Sequence, residues 1–347
     1  MALNELTERE RQVFLSIVDS FIQTAEPVGS RYLVKKYGFK FSPSTIRNIM
    51  TDLEDKGLID QPHTSAGRIP TTLGYRQYVD NLIGVTKLDG TEKRAILNHL
   101  TRIALDLDGI VEKASEVLGG ISCLLGVALA PRFNRGKVEK IELVRLTDGK
   151  LLMVLRIQAG LVKTIFLEIE EEIPQDLLEA TNEILNERLY GLSVEQLQDS
   201  FGDIFSDLDS RRRMVINLIR RSALGVLNID SSRDFHLFGA RNVLIQPEFQ
   251  SNEGIDKMLE LIERKDVLIK VLLDRQAEGV SIVIGEENEI ELMKNCSLIT
   301  TTFKYQDAIG TIGVIGPVRM KYDKVIALVQ FMSEALSHMI AHPQNAL

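Results

Sequence analysis

The sequence predicts an α+β protein: a small, mostly helical head carrying a short β-hairpin, then a larger body of mixed helices and strands. Three observations lead there. Between Leu6 and Leu82 apolar residues recur at helical spacing in short stretches bounded by cap and turn residues, with one strand pair among them. From Ile121 to Glu168 the pattern changes to the apolar runs and two-residue alternation of strands. A helical block after Pro174 then interrupts a strand series that resumes past Gly239. A chain of 347 residues is long for one core, so two or three domains are expected.

The head opens with Thr7 as N-cap and Glu10 three residues on, a capping box. Val13, Phe14, Ile17, Val18, Phe21 and Ile22 form one apolar face. Pro27 closes the region, because the residue before proline avoids the helical basin. Gly29-Ser30 opens a second helix over Arg31–Tyr37, with Leu33 and Val34 inward, Arg31, Lys35 and Lys36 outward, and Gly38 as a left-handed cap. After the turn Phe39-Lys40-Phe41, Ser42 caps a third helix and Pro43 takes its first position. Ile46, Ile49, Met50 and Leu53 make its apolar stripe, and Gly57 ends it. The other face carries Ser44, Thr45, Arg47, Asn48 and Thr51. Arg pairs with guanine, Asn with adenine, and hydroxyls with phosphates or either base type. An amphipathic helix with no such task also carries a polar face, so this helix alone leaves the choice open.

The next segment favours nucleic acid. Leu58–Gln61 and Arg68-Ile69 read as two short strands around the turn Pro62-His63-Thr64-Ser65-Ala66-Gly67, a β-wing with a small polar tip. A wing of this kind lays backbone N–H groups and one Arg along phosphates or into the minor groove. Pro70-Thr71-Thr72 leads into a fourth helix with Tyr75, Tyr78, Val79 and Leu82. That order is a winged helix-turn-helix. Charge agrees with it. Pro27–Arg76 holds eight basic residues (Arg31, Lys35, Lys36, Lys40, Arg47, Lys56, Arg68, Arg76) against four acidic ones (Asp52, Glu54, Asp55, Asp60). The window is therefore +4, which leaves −12 for the rest of a chain whose total is −8. The acidic remainder keeps the protein soluble and repels DNA from all but one face. The expected base-reading residues are Ser44, Thr45, Arg47 and Asn48; Arg31, Lys35, Lys36, Lys40, His63, Arg68 and Arg76 are expected to hold phosphates or serve the wing.

In the body, Thr86–Gly90 reads as a polar linker and Thr91–Leu118 as helical. Ile121–Ala130 is strand-like, and Val138–Leu146 and Leu151–Gln158 flank the hairpin turn Thr147-Asp148-Gly149-Lys150. Leu161–Glu168 adds a strand. Gln175 to about Asn228 reads helical, broken near Gly191 and Gly202. Val243–Ile245, Val280–Ile284 and Ile312–Ile315 are strand-like, and Asp323–Ile340 closes the chain as an amphipathic helix.

Several strings carry a family resemblance: Pro27-Val28-Gly29-Ser30, Ser42–Met50, Leu53–Leu58, Ser65–Thr71 and Gly74–Asp80, with weaker matches at Ile284–Asn288 and Ile312–Met320. With these the chain resembles the heat-inducible transcription repressors of the HrcA family, most strongly over Leu6–Leu82. The resemblance implies a GAF-like α+β domain with an inserted dimerising segment. On that basis the organisation is a winged-helix DNA-binding domain over 1–85, the first part of the GAF-like domain over 86–172, the inserted helical dimerisation segment over 173–239, and the second part over 240–347. It implies a homodimer on an inverted-repeat operator, CIRCE, upstream of chaperone operons of the GroE and DnaK systems. It also implies dependence on the chaperonin GroEL to reach or keep the active form, so that a fall in chaperonin availability on heat shock would relieve repression. A second reading is a winged-helix repressor controlled by a small metabolite in the GAF-like domain. A third is a scaffold that uses its winged helix for protein contacts.

Enzymatic readings find little support. The sequence has no GxxxxGK phosphate loop, no HExxH and no paired CxxC. No cofactor or metal is expected: His338 and His342 are four apart but beside Pro343 near the last residue, which favours a frayed, solvated turn. Cys123 and Cys296 read as small core residues of a reduced, cytoplasmic protein. Arg211–Arg213 and Arg220-Arg221 lie on the helical stretch after Pro174; the triplet could contact DNA, but its acidic neighbourhood favours a solvated helix face paired with Asp207 and Asp209. No apolar run is long enough for a membrane helix.

Overall fold

The computed structural model describes residues 6–64, 66–82, 86–100, 107–131, 137–147, 149–157, 161–168, 173–193, 196, 204–209, 211–217, 219, 234–275, 279–305 and 308–341. Ser65, Asp148, Gly202, Arg220, Arg221 and His342 lie outside them.

The chain divides into two compact units. The first comprises Met1–Ala128, Leu237–Thr302 and Thr311–Leu347, the second Leu129–His236 and Phe303–Gly310. The expected boundary at Ile173 falls inside the second unit.

The head of the first unit has α1 (Glu8–Thr24), α2 (Ser30–Tyr37), α3 (Pro43–Asp55), β1 (Ile59–Asp60), β2 (Ile69–Pro70) and α4 (Thr72–Leu82). Its ends form where the side-chain chemistry requires. The Thr7 hydroxyl accepts from the Glu10 N–H while the Glu10 carboxylate accepts from the Thr7 N–H at 2.7 Å. Ser42 accepts from the Thr45 N–H at 3.1 Å, and Gly38 closes α2 at φ 64°. Val13, Phe14, Ile17, Leu33, Ile46, Leu53 and Ile59 are buried in one core. β1 and β2 pair antiparallel through Ile59↔Pro70 and Asp60↔Ile69, and Val28 bridges Arg68 on the far side. Gly67 and Gly74 are needed for close approach: an added Cβ would sit 2.4 Å from the Val28 carbonyl carbon and 2.1 Å from the Leu58 oxygen.

Beyond the head, this unit has α5 (Gly90–Leu100), α6 (Leu107–Ser122), α8 (Ala240–Leu244), α9 (Asn252–Glu263), α10 (Lys265–Leu273), β8 (Val280–Ile284) and α11 (Tyr322–Ala341), with part of each of β3 (Leu125–Leu129), β7 (Phe235–Phe238), β9 (Cys296–Tyr305) and β10 (Ala308–Pro317), whose remaining residues the division assigns to the second. The strands form one sheet in the order β7-β3-β10-β9-β8. β3 is buried along its whole length and β10 nearly so, which explains their unbroken apolar runs.

Three expectations are corrected by the fold. Ile121–Ala130 divides, with α6 running to Ser122 and the strand beginning at Leu125. The expected strand at Val243–Ile245 is instead the end of a short helix, because Gly239 at φ 89° turns the backbone and the Asn242 amide donates to the carbonyls of Gly119 and Leu124. The described residues of Thr91–Leu118 are helical as expected, within α5 and α6. Cys123 is exposed rather than in the core; Cys296 is buried as expected.

The second unit contains β4 (Val138–Thr147), β5 (Lys150–Ile157) and β6 (Leu161–Glu168) as an antiparallel sheet, with α7 (Gln175–Leu189) packed on it. Gly149 turns the β4–β5 hairpin at φ 86°. Asn182 and Asn186, one helical turn apart, satisfy the free edge of β4. The Ile141 and Leu143 N–H groups each donate to one of these amides at 2.8 Å, and the amide nitrogens donate back to the same residues' carbonyls. Residues 211–217 are helical. Asp207 pairs with Arg188 and not with the arginine triplet, whose Arg212 pairs with Asp209.

Candidate nucleic-acid interface

The site begins with α3. Its apolar stripe is buried: Ile46 and Leu53 at 0%, Met50 at 4% and Ile49 at 8% exposure. That burial leaves Ser44, Arg47, Asn48 and Thr51 in solvent, with Thr45 half-buried. The Arg47 and Asn48 side chains have no hydrogen-bond or ion-pair partner among the described residues, while the Thr45 hydroxyl lies 2.9 Å from the Ser42 hydroxyl within the cap. The first two turns therefore present a guanidinium, an amide and a hydroxyl to solvent from a rigid backbone.

Further cations lie on α2 and the following turn. Arg31, Lys35, Lys36 and Lys40 are all exposed. Lys36 donates to Gln23 at 2.8 Å and lies 5.5 Å and 5.2 Å from the ring centres of Tyr32 and Tyr37, which fixes its ammonium without neutralising it. Arg31, Lys35, Lys40 and Arg47 have no acidic partner among the described residues. Uncompensated cations attract a polyanion. His63 is exposed in the hairpin loop.

Two of the expected phosphate ligands are engaged elsewhere. Arg68 is largely buried and pairs with Glu54 at 2.7 Å, tying the hairpin to α3. Arg76 forms a two-pronged pair with Glu287 and donates to the Ile282 carbonyl, which places it against the body of the unit. Burial works to raise the Glu287 carboxyl, but the hydrogen bonds from Arg76 and the Ile284 N–H outweigh it and hold the group below the usual carboxylate range.

Sequence reasoning missed the residues that hold this surface in shape. The Gln61 amide donates to the Thr64 and Ala66 carbonyls, both at 3.0 Å, and so braces the hairpin loop. Lys56 meets Glu10 at 2.6 Å and ties the end of α3 to the start of α1. Thr71 donates to the Gly57 carbonyl at 2.6 Å. Each is an ordinary surface residue type whose partner is not announced by its neighbours in sequence, so only the folded chain reveals it.

The family model for the HrcA protein C-terminal domain matches residues 108–326. A heat-inducible transcription repressor HrcA of Chlorobium phaeobacteroides is 35% identical over 353 residues, covering 98% of this chain and 100% of the relative. The chain belongs to the HrcA family of heat-inducible transcription repressors. The HrcA of Desulfitobacterium hafniense is 34% identical over 339 residues, covering 97% of this chain and 98% of its own. HrcA proteins are repressors and not enzymes. A crystal structure of a hypothetical protein shares the fold with a TM-score of 0.66 at 23% identity, over 97% of this chain and 99% of that one. Among the described residues no helix is long and apolar enough to cross a membrane, and no cluster of His, Cys, Asp and Glu could hold a metal ion.

Proposed function

We propose that this protein is a cytoplasmic repressor that binds an inverted-repeat operator of the CIRCE type as a homodimer, upstream of chaperone operons of the GroE and DnaK systems. The head is read as a winged helix-turn-helix. Its α3 enters the major groove, Arg47 and Asn48 read base edges, and Ser44 and Thr45 support them. Arg31, Lys35, Lys36, Lys40 and His63 hold phosphates, with Arg68 bracing the wing. The observation that carries this reading is the exposed Arg47–Asn48 pair, without a side-chain partner among the described residues, on a helix whose opposite side is buried.

The larger part of the chain is read as a GAF-like domain with an inserted dimerisation segment. In support of pairing, the sheet of the second unit exposes an apolar row: Val144 (45% exposed) is paired across the strands with Leu152, and Leu152 with Phe166 (71%). Contiguous exposed apolar surface of this kind marks an interface, here with a second copy of the chain. Regulation is read as chaperonin-dependent: GroEL keeps the repressor active, and heat diverts it.

Footprinting the purified protein on its own genomic fragments tests the function. A symmetrical, salt-sensitive protected site before chaperone genes is expected; protection nowhere would refute it. Adding chaperonin and ATP should raise the DNA-binding fraction. No gain would favour control by a metabolite, for which one observation speaks. An open cleft of about 310 Å³ is lined by Ile22 of the head together with Ile121, Leu124, Gln246, Arg319 and Lys324. A screen for small molecules that raise the melting temperature would then decide.

A further inference from the structure

Within the first unit, the end of α6 and the start of α11 line an open cleft of about 310 Å³ that also touches the last turn of α1. Its floor is apolar: Leu124, Met320, Val325 and Leu328 are buried side chains that line it. Ile22 of the head and Ile121, which is 40% exposed, add to that surface. The charged lining is all of one sign, namely Arg319, Lys321 and Lys324. Among the described residues no carboxylate lines the cleft, in a chain whose net charge is −8.

The three cations are not equivalent. Arg319 is spent on the wall. It donates Nε to Glu248 at 2.6 Å, Nη1 to the Ile22 carbonyl at 2.8 Å and Nη2 to the Gln246 amide oxygen at 3.3 Å, which ties the end of α1 to the body and fixes this side of the cleft. Lys324 meets Glu92 at 2.9 Å, but the two side chains are 49% and 37% exposed, so water weakens the pair and an incoming anion can share the ammonium. Lys321 is exposed and has no acidic partner among the described residues. The nearby Asp323 carboxylate accepts from the Thr86 hydroxyl at 2.9 Å. Lys321 and Lys324 also stand at the start of a 20-residue helix, where the backbone dipole adds positive potential.

An apolar floor beside two available ammonium groups calls for a ligand with both parts. A phosphate has no apolar part to bury, and a neutral molecule leaves the lysines unused. We infer that this cleft binds a small amphipathic carboxylate, its aliphatic part on Leu124, Met320, Val325 and Leu328 and its carboxylate against Lys321 and Lys324. Such a ligand is of the class that control by a metabolite requires, and any regulatory use of the site rests on that second reading.

The test titrates the full-length protein with butanoate, hexanoate and octanoate, following binding heat and melting temperature, with 1-octanol and inorganic phosphate as comparators. Octanoate should saturate at about one site per chain and raise the melting temperature. Affinity should grow about two- to fourfold for each added methylene, and octanol and phosphate should bind about tenfold or more weaker than octanoate. Lys321→Gln combined with Lys324→Gln should weaken octanoate about tenfold and leave octanol unchanged. Both lysines are exposed, so folding should survive, and melting curves without ligand check this. Ile121→Ser, at an exposed position of the lining, should weaken octanoate about threefold and provides a second, independent variant. A response that does not saturate, affinity that ignores chain length, phosphate or octanol bound as tightly as octanoate, or undiminished octanoate binding in the lysine variant overturns the inference and leaves operator binding to the footprint. Octanoate that binds as expected while the affinity for the protected duplex stays unchanged upholds the site and refutes control by such a metabolite.

Discussion

Arg47 and Arg76 have the same side chain and opposite circumstances. Arg47 stands in solvent with no acidic neighbour among the described residues, so its guanidinium is available to an outside partner. Arg76 is held by Glu287, Asp80 and a carbonyl. Composition and charge counting give both equal weight, which is why the sequence could place Arg76 in the phosphate set. The partner, Glu287, lies 211 positions away, and nothing local announces it. The two cysteines diverge in the same way. Burial pushes the Cys296 thiol up to about 12, whereas Cys123 is exposed at a left-handed turn of φ 55°. Because the thiolate is the reactive form, a thiol reagent at pH 8 should label one cysteine in the folded protein and both in denaturant. Rapid labelling of both in the folded state would contradict the burial of Cys296.

At the scale of the element, the head was legible because its signals are short-range. Thr7 with Glu10, Gly38, Ser42-Pro43 and Gly57 each sit within a few residues of the helix end they set, and the folded chain uses them there. The strand pair needed only the spacing of Ile59 and Ile69 about a turn. Strand against helix at Val243–Ile245 was not legible. Three apolar residues fit either, and the deciding contacts come from Gly119 and Leu124. β9 (Cys296–Tyr305) escaped because burial along most of its length removes the alternation that marks half-exposed strands. The cap on α3 has a measurable consequence. Ser42→Ala removes the acceptor for the Thr45 N–H and should lower stability by about 1 kcal/mol, read from denaturant melts, with DNA affinity falling because Ser44, Arg47 and Asn48 sit in the first turns that fray. Unchanged stability would show that the helix start is held by tertiary packing instead.

For the whole molecule, the sequence separated a basic head from an acidic remainder but could not say how the pieces are tied. The Asn182–Asn186 edge cover, the Arg76–Glu287 pair and the hydrogen bond from Arg319 to the Ile22 carbonyl all depend on contacts across tens to hundreds of residues. The exposed row at Val144, Leu152 and Phe166 yields a prediction at this scale. Phe166→Asp should shift sedimentation from dimer to monomer and weaken binding to the symmetrical site more than to one half-site. An unchanged dimer would exclude this face. The central claim is that α3 reads sequence while the neighbouring lysines supply attraction alone. It is tested most directly by measuring the affinity of Arg47→Ala and Lys36→Ala for the protected duplex and a scrambled one across a salt series. Arg47→Ala should lose about 10–100-fold on the protected duplex and little on the scrambled one. Lys36→Ala should lose equally on both, with a salt slope shallower by about 1. Wild-type affinities for Arg47→Ala on both duplexes would contradict the account.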